Sequence, residues 1–130
     1  MLEWQLTDSE VASVRQEAGG VRVHVSAASA RTLGADVGRP PSDWGYALGV
    51  VLELEQAHVK HCDAHAMGRI AEGSLGTAGQ SLAVLPLPGE ALGSTALLLR
   101  FANGGVLQVQ AGSWRCYFLG EPRWRESYAC

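Results

Sequence analysis

Lysine is nearly missing from this sequence: Lys60 stands alone against nine arginines in 130 residues. Charge of either sign is sparse at 18 %, and the formal net charge is -3. That balance argues against a nucleic-acid-binding surface, which needs a concentration of cations to displace counterions from phosphates. No run of about 18 apolar residues occurs, so no helical membrane span is expected. The opening MLEWQLTDSE lacks a basic leader followed by an apolar run, and a signal peptide is not expected either. Cys62, Cys116 and Cys130 are odd in number and widely spaced, a poor disulfide framework that fits a reducing cytoplasm. Also missing are a CxxC pair, an HExxH pattern and a Gly-rich entry to a helix, so no catalytic motif is found and no enzyme is expected.

What is present is alternation. Three stretches align without gaps: VHVSAASAR (23–31), LELEQAHVK (52–60) and LQVQAGSWR (107–115). Each starts apolar, any, apolar, as a half-buried strand does. In each the inward phase then slips by one residue, from Leu54 to Ala57 and from Val109 past Gly112 to Trp114. One extra residue is what a β-bulge supplies. The turn chemistry agrees. Gly19-Gly20 and Asn103-Gly104 lie between alternating runs, where hairpins need positive φ. Another turn is expected near Gly76 to Gly79. Pro86 and Pro88 cannot donate to a ladder, which makes their strand an edge or ends it. Strands are expected at 11–17, 21–30, 47–60, 70–75, 81–86, 95–102, 106–111 and 114–119. The expected fold is all-β with little helix: a single domain over 1–130, an antiparallel β-sandwich or open barrel of about seven to nine short strands. A long loop spans about 32–46 and a C-terminal arm about 120–130.

The densest polar cluster is AHVKHCDAH, with His58, His61, Cys62 and His65 at positions i, i+3, i+4 and i+7. On a helix two or three of these would converge as zinc ligands do. Val59, Cys62, Ala66 and Ile70 also fall at helical spacing, so a helix over 55–67 competes with the strand, a single turn near Asp63–Met67 being the milder form. On a strand His58 and His61 diverge, and the cluster is a polar strand end followed by an exposed loop. The repeat sets His58 where Ser29 and Ser113 stand, which reads as a solvent-tolerant position. Cys62 beside His61 and His65 has the composition of a nucleophile and base, but sequence neighbours rarely meet that geometry. Glu53 and Glu55 share one strand face, as an acid–base pair, as cation ligands or as its wet side.

The last third concentrates aromatics and arginines. Trp114, Arg115, Arg123, Trp124 and Arg125 form the candidate interface, because Trp, Tyr and Arg are enriched at the energetic centres of protein contacts; core packing with a snorkelling arginine is the competing account. Trp44 and Tyr46 are positioned to join it. The stretches FANGGVLQVQA and FLGEPRWRESYAC, ending Ser127-Tyr128-Ala129-Cys130, resemble an uncharacterised group of small bacterial β-domain proteins. The resemblance spans most of the chain, its motifs are of low specificity, and it implies a bacterial all-β domain with no activity or functional residue to carry over. The expected function is a non-catalytic binding or protein-interaction domain of a bacterial cytoplasmic protein, self-associating as a homo-oligomer or engaging a protein partner. Alternatives are a transition-metal site on the His58–His65 cluster, holding zinc, and a carrier with a small ligand inside the barrel.

Overall fold

The computed structural model describes residues 2–32 and 44–126, with the backbone alone at 126. All regular structure among them is strand: β1 (Leu2–Gln5), β2 (Glu10–Glu17), β3 (Gly20–Thr32), β4 (Gly45–Glu55), β5 (His58–Cys62), β6 (Gly68–Thr77), β7 (Gln80–Leu82), β8 (Val84–Leu87), β9 (Gly89–Phe101) and β10 (Val106–Glu126). Every pairing is antiparallel, as the alternation predicts. Six strands form a closed ring in the order β2, β3, β4, β10, β9, β6. The seam between β6 and β2 is short, with Glu10 opposite Arg69 and Val11 opposite Gly68.

The ring closes because its long strands bend where the inward phase slips. In β3, Val21, Val23 and Val25 are buried, Ser26 is exposed, and burial resumes at Ala28 and Ala30. Against β2, Val11 pairs Val25 while Glu10 pairs Ala27, so Ser26 is the extra residue. The second copy breaks outright: Gln56 takes φ 51 and separates β4 from β5, dividing the strand expected over 47–60. In the third, Val109 and Trp114 both point inward across Gly112. There the surplus lies on β9, since Ala111 pairs Thr95 and Ser113 pairs Leu92. Bulges bend a strand and increase its twist, which a small barrel requires.

The inward side chains fill the interior. Val23, Val25, Leu52, Leu54, Leu97, Leu99, Leu107 and Val109 are each at most 1 % exposed. Each such side chain, fully buried, stabilises the fold by roughly 1.5–3 kcal/mol. Six strands leave room for side chains and not for a lumen.

Three differences from the expected elements bear on function. β1 is an added strand, pairing the far end of β3 on one side and β8 on the other. β8 has no other partner among the described strands, which matches the edge that Pro86 requires. β10 is one strand of 21 residues where two were expected, and it absorbs 120–126 of the expected arm against β4. Of the long loop, Thr32 and Gly45–Tyr46 belong to strands; positions 33–43, and 127–130 of the arm, lie outside the described residues.

The hairpins divide by chemistry. Ala78-Gly79 is a two-residue turn with both residues at positive φ, 50 and 78, the mirror-type turn that matches strand twist. Asn103-Gly104 sits in a wider loop in which only Gly104 has positive φ. Asn103 instead accepts from Gly105 N–H through Oδ1 (2.8 Å), and its Nδ2 donates to the carbonyls of His65 (2.9 Å) and Met67 (3.1 Å).

Candidate functional site

The histidine cluster lies on β5 and the turn after it, not on a helix; Ala66 N–H donates to the Asp63 carbonyl at 3.1 Å in a single turn. A register shift at Lys60 puts His58 opposite Gln110 and His61 opposite Gln108 on β10. Residues directly opposite share a face, so both histidines point outward beside the glutamines, contrary to the divergence expected of a regular strand. They remain exposed, as do Cys62 and His65. His61 Nε2–H donates to Asp63 Oδ1 at 2.8 Å, and Val106 N–H donates to Oδ2 at 2.8 Å. The Val106 amide, then His61, hold the Asp63 carboxyl below its usual range. Among the described residues no group of three or more His, Cys, Asp or Glu stands where it could hold a metal ion. The structure does not bring His58, His61, Cys62 and His65 together as one ligand set.

The position shared by Ser29, His58 and Ser113 is not uniformly solvent-facing. Ser29 is buried at 4 % and accepts from Gln5 Nε2 at 2.7 Å.

The candidate interface splits in two. Trp114 is 4 % exposed and belongs to the core, because the slip across Gly112 turns it inward. Arg115 points outward but is engaged. Its Nε and Nη2 both reach Glu53 Oε2 at 3.0 Å, Tyr117 Oη–H donates to the same oxygen at 2.8 Å, and Arg22 Nη2 lies 3.6 Å from Oε1. Burial pushes the Glu53 carboxyl up, yet Tyr117, Arg115 and Arg22 outweigh it and hold the group below its usual value. Glu53 is therefore an anchor across β3, β4 and β10, ion-paired through both oxygens. Cys116 is buried: desolvation pushes its thiol up to about 12, and Sγ–H donates to the Pro86 carbonyl at 3.1 Å.

Arg123, Trp124 and Arg125 are the half that reaches the surface. Beyond Cys116 the edge of β10 away from β4 has no strand partner among the described residues. Between that edge and the β1–β8 pair opens a groove of about 520 Å³, walled by Leu2, Leu87, Pro88, Phe118, Pro122 and Trp124, with Thr32, Tyr117 and Arg123 completing it. Trp124 is 39 % exposed and lies over Gly45, where a Cβ would come within 2.6 Å of Trp124 Cζ2. Arg123 is the one charged wall residue and makes no ion pair among the described residues, its Nη2 resting beside Gly49. Trp44 is held elsewhere, under the Arg31 guanidinium at 4.7 Å. Leu2, Leu87, Pro88 and Pro122 were not anticipated, although the prolines were a usable signal: Pro88 follows the end of the β1–β8 ladder, and Pro122 falls in the interruption of the β10–β4 ladder.

Fold and site together define a class: a small antiparallel β-barrel with a filled interior and an open apolar groove beside one free strand edge. No family model matches the chain, and neither a curated protein nor a solved structure matches it. No helix among the described residues is long and apolar enough to cross a membrane.

Proposed function

We propose that this chain is a non-catalytic protein-interaction domain of a bacterial cytoplasmic protein, and that it binds through the Trp124 groove. The observation that carries the reading is the groove itself: six apolar walls and one arginine beside a strand edge, arginine and edge both without a partner among the described residues. Contiguous apolar surface of this kind marks binding sites in soluble proteins, and a free edge accepts an extended segment by adding a strand. Charge complementarity with Arg123 selects a protein partner that presents an apolar side chain next to a carboxylate. The filled interior favours this over a carrier with a ligand inside the barrel. The exposed free thiol of Cys62 supports a reducing compartment, and the bacterial origin rests on the resemblance carried by the C-terminal motifs.

Selection from a phage-displayed peptide library on the immobilised chain tests the proposal. Enriched peptides should pair an apolar residue with Asp or Glu and lose binding to the Trp124→Ala variant. A selection that enriches nothing, or peptides indifferent to Trp124→Ala, would overturn it.

A further inference from the structure

The protein carries on its own surface the feature that its groove fits. Leu92 is 92 % exposed, far above any other large apolar side chain among the described residues. It stands where β9 carries its surplus residues: Gly93 and Ser94 oppose Gly112 alone, and Gly93 takes φ 111. Leu92 stays paired with Ser113 and projects outward, opposite in phase to Ala91, which packs against the core. Two residues earlier, exposed Glu90 lies opposite Arg115, whose guanidinium is already held by Glu53. Glu90 makes no ion pair among the described residues, so Glu90 and Leu92 form a knob that is apolar at its tip and anionic at its base.

Groove and knob are complementary in both respects. The groove is apolar with one cation, Arg123, and the knob apolar with one anion, Glu90, neither of them ion-paired among the described residues. They are also neighbours along the chain, since Pro88 walls the groove and Glu90 follows two residues later. A twofold pair of copies would exchange knobs, residue i on j and j on i.

We infer that the occupant of the groove is a second copy of this chain, with Leu92 seated against Phe118 and Trp124 and Glu90 paired to Arg123. The inference rests on the groove being a protein-binding site and adds the identity of the partner.

Sedimentation equilibrium over a wide concentration series tests it. The wild type should shift from 13.8 kDa toward twice that mass. Leu92→Ser should raise the dissociation constant at least tenfold while far-UV circular dichroism and Tm stay unchanged, because the side chain contributes little to the monomer. Glu90→Arg and Arg123→Glu should each weaken association, and the double variant should recover most of it. A wild type that stays monomeric at every concentration overturns the inference, as does association indifferent to Leu92→Ser or a charge swap without rescue. If the peptide library still yields Trp124-dependent binders, the groove reading stands and only the second copy is lost.

Discussion

Replacing Ser9 by Ala removes one oxygen on which three polar groups converge. Ser9 Oγ accepts from Trp4 Nε1–H at 2.8 Å and from Ser29 N–H at 3.0 Å, and it donates to the Gln5 carbonyl at 2.9 Å. Ser9 is 0 % exposed, Trp4 1 % and Ser29 4 %, so water does not reach the donors once the hydroxyl is gone. A buried donor left without a partner costs about 1–3 kcal/mol, and two are orphaned here. Ser9→Ala should therefore lose roughly 2–5 kcal/mol, a large share of the 5–15 kcal/mol that typically holds a domain folded. Urea denaturation followed by far-UV circular dichroism measures this directly. Ser26→Ala is the control: its hydroxyl makes one exposed bond of 3.3 Å to the Glu10 carbonyl, and its loss should stay within about 0.5 kcal/mol. A Ser9→Ala midpoint within about 1 kcal/mol of wild type at unchanged slope would refute the reasoning. The network also ties β1 to β3, so the groove, which uses Leu2 as a wall, should weaken with it.

Three further predictions concern single groups. The Glu53 carboxyl is depressed in the folded state, so its contribution is fully present above its unfolded value near 4.5 and is lost as pH falls through the folded value; Glu53→Gln should flatten the acid limb of the stability–pH profile, measured as urea midpoints from pH 3 to 7 (roughly). Alkylation of the native protein with iodoacetamide should label Cys62 and spare Cys116, whose thiol is buried and pushed up to about 12; peptide mass mapping before and after denaturation separates the two. Gly45→Ala should push Trp124 off its seat at a cost of about 1–3 kcal/mol, visible as a changed tryptophan emission and a lower Tm.

The phase of alternation proved more informative than composition. The slip after Leu54 and Val109 was legible in the aligned stretches; burial resumes at Trp114, whereas Ala57 is half-buried beyond the break at Gln56. The same slip turns Trp114 inward, so phase alone assigns it to the core, whereas grouping it with Arg115 and Trp124 by residue type sets it on the surface. Position seven of the repeat misled for a related reason: Ser29 is buried because β1, four residues long and too short for periodicity to register, covers it. β10 was divided in two at Gly112, yet the strand continues because the surplus residues fall on β9. The groove joins β1, β8 and the end of β10, segments distant in sequence, and no local pattern brings them together. Leu92 lay outside the strand expected at 95–102, so its place on the outward phase of β9 went unread.

Installing a photoreactive benzoylphenylalanine at position 92 and mapping its crosslinks by mass spectrometry tests the central claim most directly. A dimer band whose crosslinks land on Phe118 or on Pro122 to Trp124 of another copy is the predicted result. Crosslinks that stay within one chain, or that join copies at other surfaces, would contradict it.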